Sequence, residues 1–548
     1  MALLKKICRA NFFALCCLLL LTSFAGAQKP SLGSVDFPTS AKSKQAQEKF
    51  LLGVAALHSF EYEDSLEYFQ EASKLEPDFA MAYWGEAMTY NHPLWSEQNS
   101  SSAKLALAKI KDTSKLTARE QAFINAAKVL YGDGDKLERD KAYMVEMEKI
   151  YRAYPNDMEA ATFYSLAIMG TVRPGDKDGT NRNMKAGAIA LDVYQKFPNH
   201  PGAAHYVIHA FDDADHAILA LDAAKRYAQI APASEHALHM PSHTFFSLGM
   251  WTEGAASNEA AWAASNDWVK KKNHARYMLD HHSLHWLMYA YLQQGRYEKA
   301  EEMLGLIRQS ITESGSSYLS NYYSMMAAAF VMETERWNLV PEIFKPVKAE
   351  TNTGSVIPVS PRNAVAVLPV FIDGYTAARR GVTGAEKDAA DLRLMGQPML
   401  NMSESGNANR KRFFNVMALE IEALLKASKN DYAGAIELLK KANAEEEGIT
   451  MVAGPPPLIK PSHELLGEIL LRANKAKEAS QAFTVSLQRQ PNRARSLLGA
   501  ARAASKSGDT QSAMNYYSQF LQQWKKSDAQ LMELHEAQDY MKTAQNRQ

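Results

Sequence analysis

Fifteen histidines occur in the 548 residues, and eleven of them crowd into positions 200–285, where even spacing would place two or three. Imidazole is the commonest side-chain ligand for Zn, Cu, Ni and Fe, and it titrates near neutral pH. The pairs His205/His209 and His239/His243 are spaced i, i+4, so on a helix each pair shares one face and can chelate one ion. A neighbouring helix, ~8–10 Å away axis to axis, can bring a third ligand, and Asp212 or Asp213 could complete a set of three histidines and one carboxylate. Met240 and Met288 lie near by in sequence and read as core residues. Expected metal ligands are His205, His209, His239, His243 and His285, for Zn or another transition metal. Expected ligand-binding residues are His58, His92, His200, Asp212, Asp213, His236 and His282. The alternative chemistry is hydrogen bonding of the same imidazoles to a peptide's carboxylates or backbone.

Other catalytic patterns are missing. The chain contains no H-E-x-x-H, no phosphate loop and no G-x-S-x-G elbow. Asp280-His281-His282 opens a helical stretch, whereas the acidic-His-His arrangement of some phosphoesterases needs a strand end. His463 falls at a core-packing place. With no base or nucleophile named by spacing, the sequence favours a binding role over an enzyme.

Composition narrows the field further. Lys+Arg and Asp+Glu are both 61, without a basic block, which argues against a nucleic-acid or polybasic membrane binder. Lys5, Lys6 and Arg9, the apolar run Phe12 to Phe24 and Ala25-Gly26-Ala27 before Gln28 have the layout of a secretory signal peptide. Its removal takes Cys8, Cys16 and Cys17, all the cysteines, and leaves a chain without disulfide or thiolate chemistry. A lipid anchor at Cys16 or Cys17 fits poorly, because the apolar run continues past both. Nothing later is apolar enough to span a bilayer. The expected location is the periplasm or beyond.

The elements that must position the histidines come from a repeat. A core of one size cannot serve 548 residues, and the chain shows a period of 34. Leu52-Gly53, Phe69, Ala72 and Pro77 form one unit's signature, and Leu466-Gly467, Ala479, Phe483 and Pro491 form another. Prolines Pro198 and Pro232 stand 34 apart, as do Pro457 and Pro491. Unit starts fall near 46, 80, 124, 158, 201, 235, 281, 321, 367, 416, 460 and 494, with insertions after 94, 170, 258 and 394. Period-2 strand patterns of any length are lacking. One helix pair cannot cover its own apolar face, so neighbours stack and bury a continuous core.

These signatures resemble the tetratricopeptide repeat family over nearly the whole chain after residue 45. The stretches LHSFEYEDSLEYFQEA (57–72), AMAYWGEAMTYNHPLW (80–95), HALHMPSHTFFSLGMW (236–251) and PNRARSLLGAARAA (491–504) resemble a group of exported bacterial members of that family. The resemblance implies an all-α, right-handed superhelical solenoid of about a dozen helix-turn-helix units and a concave groove that holds a protein or peptide partner. It also implies that the second, fifth, ninth, twelfth and thirteenth places of a unit face the groove. His205, His239 and His285 take the fifth place of three successive units, His209 and His243 the ninth, and His236 and His282 the second. His58 and His92 take the thirteenth place, and Asp212 and Asp213 the twelfth and thirteenth.

The expected organisation is a signal peptide (1–27), an N-terminal extension (28–45), a repeat array with the His-rich groove (46–394), a Gly/Ser/Asn-rich loop (395–411), further units (412–530) and a tail (531–548). Pro241, between His239 and His243, should interrupt the first helix of its unit or begin it. The function that follows is an exported scaffold binding a protein, peptide or small ligand, with a metal-binding or metal-dependent hydrolytic site as the alternative.

Overall fold

The computed structural model describes residues 31–173, 175–345, 364–398, 404–449 and 454–546. The expected signal peptide and all three cysteines lie outside these residues.

Helix pairs follow one another as α1 (Lys44–His58) and α2 (Tyr62–Leu75), α3 (Ala80–Met88) and α4 (Ser100–Leu107), α5 (Ala118–Leu130) and α6 (Lys136–Ala153), α7 (Met158–Met169) and α8 (Gly179–Lys196), α9 (Pro201–Ala210) and α10 (Leu221–Ile230). The next unit has a first helix in two pieces, α11 (Glu235–His239) and α12 (Pro241–Ser247), and a long second helix, α13 (Trp251–Lys272). Then come α14 (His281–Gln293) and α15 (Tyr297–Ser314), α16 (Ser317–Thr334) and the short α17 (Val340–Ile343), α18 (Ala364–Arg380) and α19 (Ala385–Met395). The array finishes with α20 (Glu404–Ser428) and α21 (Tyr432–Glu447), α22 (Ser462–Arg472) and α23 (Ala476–Arg489), α24 (Ala494–Ser507) and α25 (Thr510–Gln523), and α26 (Met532–Gln545). Among the described residues the strands are two-residue β1 (Asn91–His92) and β2 (Glu97–Gln98), paired antiparallel in a hairpin between α3 and α4. The fold is an all-α superhelical repeat array. No helix among the described residues is long and apolar enough to cross a membrane.

Local chemistry explains the helix starts. Ser43, Thr117, Asp157, Ser234 and Asp280 each accept a backbone N–H of the first turn, and Thr117 with Glu120 forms a reciprocal capping box. The Leu-Gly positions have a packing cause. A Cβ on Gly53 or Gly85 would come within 2.7 Å of the Phe69 ring, and one on Gly467 or Gly499 within 2.7 Å of the Phe483 ring. Each phenylalanine of a second helix thus wedges between the first helices of its own and the next unit.

Two segments differ from expectation. The loop expected over 395–411 is helical from Glu404 onward, because Arg410 lies over the Phe414 ring and reaches back to the carbonyls of Met395 and Gln397. The expected tail at 531–548 carries α26, which packs Tyr540 on Tyr517 and ties Glu536 to Arg502.

The buried side chains form two large cores, one running from Phe37 to Phe245 and the other from Phe246 to Ala537. Each half coils back on itself. In the first, the extension bonds through Ser34 N to Asn199 O and Ser234 Oγ donates to Glu61 at 2.7 Å, while Lys272 of the second half meets Asp64 of the first at 2.9 Å. In the second, Trp251 Nε1 donates to Asn492 O at 2.8 Å, Ala494 N to the side chain of Gln293 at 2.9 Å and Asp528 N to Gly295 O at 3.0 Å. Gly249 marks this seam: its φ is +66°, and a Cβ there would sit 2.2 Å from Pro491 O. The inner face is therefore tighter than an open trough. His58, His200, His205, His239 and His285 are buried, and His209, His236, His243 and His282 are half-buried.

Candidate metal centre

The inner histidines are held by α9, α11, α12 and α14. His200 caps α9, its Nδ1 accepting Ala203 N at 3.1 Å, and Pro201 supplies the first helical residue. One turn on, His205 and His209 share a face. At the sixth unit α11 ends at His239, and the helix restarts with Pro241 as its first residue. Met240 keeps helical angles (φ −54°, ψ −34°), so the two pieces stay in line and His239 and His243 remain on one side. The oxygens of Leu238 and His239, near the break, are taken by Ser257 Oγ. Asp280 caps α14 by accepting from His282 N and Ser283 N, which fixes His282 at the mouth of the site.

Three groups of side chains come close enough to share an ion: His205/His209/His236, His239/His243/His282 and His58/Glu159/His200, each with its ligand atoms within 4.8 Å of one another. Hydrogen bonding separates them into two kinds. In the His58/Glu159/His200 group all the valences are used. His200 Nδ1 accepts a backbone N–H, so Nε2 carries the proton and donates to Glu159 Oε1 at 3.2 Å. His58 donates through Nε2 to Glu159 Oε2 at 2.7 Å and accepts from Tyr206 at 3.0 Å. Burial pushes the Glu159 carboxyl up, but the rings of His200 and His58 outweigh it and hold it well below the usual carboxylate range. This group is a closed structural knot joining the first unit to the fourth and fifth.

The other two groups are open. His205 Nδ1 donates to His58 O at 2.7 Å, which leaves Nε2 as a lone pair facing His236 Nε2 at 3.1 Å. His239 Nδ1 donates to Asn258 Oδ1 at 2.7 Å, and Asn258 is itself oriented by donating to Gly254 O. His243 Nδ1 donates to Asp212 Oδ2 at 2.7 Å. The Nε2 lone pairs of His239 and His243 therefore face each other at 3.2 Å. Two such acceptors repel unless a proton or a cation lies between them. Metal–imidazole bonds of about 2.0–2.1 Å put neighbouring ligand nitrogens roughly 3–3.5 Å apart, the separations seen here. The amide oxygen behind His239 and the carboxylate behind His243, fixing their tautomers, are the second layer that metal-binding histidines ordinarily have.

Burial disfavours the charged form of five of these rings. Burial, helped by neighbouring imidazoles, pushes His205, His209, His236 and His239 well below the usual histidine range. His282 is lowered to about 4 by burial, against an opposing pull from Asp280. Aromatic walls complete the site. Phe60 stands 4.4 Å from the His205 ring, and Trp286 stacks on His243 at 4.4 Å.

The remaining expected residues divide as follows. Asp212 holds His243, whereas Asp213 caps its own turn by accepting from Asp215 N, His216 N and the His216 ring. His92 lies on the hairpin, stacked on Tyr62 at 3.9 Å, outside the three groups. His285 is buried beside the Tyr322 ring at 5.8 Å and stands outside both triads. His463 bonds Asn443 and Glu447, in keeping with a packing role. Glu159 was not foreseen, though it holds the second place of its unit as His236 and His282 do in theirs. Asn258 lies on a second helix, where the groove register says nothing.

No known protein family matches the chain by sequence, and no curated protein matches it. Solved structures resemble it weakly. The human IFIT1 dimer with m7Gppp-AAAA has 13% identity over 88% of this chain and 90% of that one, with a TM-score of 0.35. Yeast Tom70 has 12% identity over 92% and 97%, with a TM-score of 0.33. The P58(IPK) TPR domain has 14% identity over 92% and 99%, with a TM-score of 0.20. The chain's own stacked helix pairs, with Gly53 and Gly467 against Phe69 and Phe483, make it a tetratricopeptide-like helical repeat array.

Proposed function

We propose that this repeat array is an exported metal-binding protein whose inner histidines hold transition-metal ions, one ion in each three-histidine triad. The observation that carries the reading is the pair of opposed Nε2 lone pairs on His239 and His243, 3.2 Å apart, with both Nδ1 protons committed to fixed oxygens. Three imidazoles leave a fourth position open, the arrangement found in catalytic rather than structural zinc sites, so hydrolysis of a small substrate is the extension of this reading. Its test is metal analysis of the purified protein followed by calorimetric titration of the stripped protein with Zn, Cu and Ni at pH 7.5. Binding tighter than about 10 μM that loses one ion in His239→Ala supports the reading, and no binding tighter than about 100 μM ends it; these Kd values correspond to roughly −6.8 and −5.5 kcal/mol.

A second reading, a protein or peptide partner held at the same mouth, draws support from the aromatic rim. Trp95 is 51% exposed and its ring lies 6.4 Å from His236. Large aromatic side chains of this kind anchor partners at interfaces. Pull-down with wild type and Trp95→Ala tests it. Membership in the exported group with the HALHMPSH stretch, and a periplasmic location, belong to the same proposal; an N-terminus at Gln28 on the protein purified from an exporting bacterium is the expected result.

A further inference from the structure

The two open triads are not separated. The His209 and His243 rings, one from each triad, are 6.0 Å apart centre to centre, and His236 and His239 are 6.3 Å apart. Within the triads, His209 and His236 are 6.1 Å apart and His243 and His282 are 6.3 Å apart. The nearest rings inside a triad are 4.7–5.1 Å apart, so the spacing across the boundary is wider than the closest contacts within it but equal to the longest, and the two triads adjoin. The boundary is also where the two hydrophobic cores meet, between Phe245 and Phe246, with α11 and α12 supplying ligands to both sides of the Pro241 break.

Two further buried atoms of this region lack partners. His209 Nε2 is buried and has no hydrogen-bond partner. Asp212 Oδ1 is likewise buried and without a partner, while its other oxygen holds His243. Asp212 thus holds His243 of one triad and follows His209 of the other by three residues in the chain. A buried carboxylate oxygen left without a donor is costly and calls for a proton-bearing neighbour.

We propose that the two triads form a single dinuclear centre, in which two copper ions are each held by three imidazoles and share a bridging hydroxide whose proton Asp212 Oδ1 accepts. This rests on the metal-binding reading above and goes beyond it in nuclearity, metal and bridging ligand. Copper is favoured by the donor set: six neutral nitrogen ligands and no carboxylate or thiolate on the ions, with copper highest in the divalent affinity order. Asp212 and the nearby Asp280 offset part of the ions' charge from the second layer. The open position on each ion faces the same space, so the ligand class is a small oxygen donor able to bridge two metals.

The test is stepwise loading of the stripped full chain with Cu(II) at pH 7, with copper counted by mass spectrometry and unpaired spins counted by electron paramagnetic resonance. The expected result is two coppers per chain with an integrated signal far below that of two isolated ions, because a hydroxide bridge couples their spins. His236→Gln and His282→Gln, both at half-buried positions, should each bind a single copper and restore its full one-spin signal, with circular dichroism unchanged. Two coppers with two full, uncoupled spins would overturn the dinuclear centre and leave the metal reading standing. One copper per wild-type chain would overturn it in the same way. No bound copper, and no bound zinc or nickel, would overturn both.

Discussion

The array buries two polar clusters, and they are built to opposite ends. In the C-terminal half, Arg493 donates to Glu464 at 2.8 Å, meets Glu333 at 2.6 Å and bonds the Tyr289 hydroxyl at 2.7 Å, while Lys460 meets Glu464 at 2.8 Å. Arg493 and Glu464 are about 1% exposed or less. Burial pushes the Glu464 carboxyl up, but Arg493 and Lys460 more than reverse it. Each cation faces an anion, and the cluster ties α24 to α14, α16 and α22. In the histidine cluster the Nε2 atoms of His239 and His243 face one another, and His209 Nε2 faces no partner. A closed network holds units together; an open one leaves room for something to bind. The His58/Glu159/His200 knot, a few ångströms from the open triads, shows that imidazole itself is not the deciding factor.

Breaking the closed network should have the largest effect. Arg493→Ala leaves the buried Glu333 carboxylate without its cation and Glu464 with Lys460 alone, and should lose about 3–5 kcal/mol of stability in urea unfolding, with metal affinity of the folded protein unchanged. A loss below about 1 kcal/mol, the level of a surface ion pair, would mean that the two clusters do not differ as described. Next is His239→Ala, which should lower copper or zinc affinity more than ~100-fold, beyond the cost of losing an outer partner. Asp212→Asn removes such an outer partner and should cost ~10–100-fold in the same titration. Full affinity in Asp212→Asn would show that the carboxylate does not orient His243.

Acid sharpens the contrast on a smaller scale. His205, His209, His236, His239 and His282 have folded-state values below their unfolded value of about 6.5, with His282 at about 4. Above pH 6.5 both states are neutral and nothing changes. As pH falls below it, the unfolded chain takes up protons that the folded chain refuses, so the metal-free protein loses at most about 1.4 kcal/mol per unit and per group until the folded value is reached. Denaturation midpoints at pH 7, 5.5 and 4.5 should fall in that order, and added metal should raise the midpoints at pH 7 and 5.5 alike. A midpoint unchanged from pH 7 to 5.5 without metal would contradict the buried, neutral state of these rings. The smallest effect is expected at His285→Ala, where metal affinity should stay within about twofold. The fifth-place register groups His285 with His205 and His239, so this variant separates register from actual convergence.

Much of the fold was legible because its causes are local. The 34-residue period, the Leu-Gly pairs and the closing prolines gave the unit starts, and Gly53 and Gly467 lie against Phe69 and Phe483 as that pattern requires. The inner placement of the histidines was legible for the same reason. Which three of them meet was not. That depends on how tightly the coil closes, and the closing contacts join residues far apart in sequence, such as Glu61 with Ser234 and Arg493 with Glu333. His285 shares the register of His205 and His239, yet it is His243 and His282 that lie beside His239. Glu159 could have been found at the second place of its unit, but only the fold shows that His58 and His200 reach it. The orienting oxygens of Asn258 and of the His58 backbone carry no sequence signal.

The C-terminal units lie back on the seventh, through Asn492, Ala494 and Asp528. Stacked repeats ordinarily touch only their neighbours, and they can unzip from an end one unit at a time. Here the last units cannot peel away without tearing contacts with α13, α14 and the turn at Gly295, and the first unit is fastened in the same way by Glu61 and Lys272. Each half should therefore melt in one step rather than fray. Its folding must wait for ends more than 150 residues apart to meet, which makes it slow for a helical protein. Trimming the chain at residue 490 would not shorten a ladder by two rungs; it would open the hoop to which the metal-binding helices are fixed.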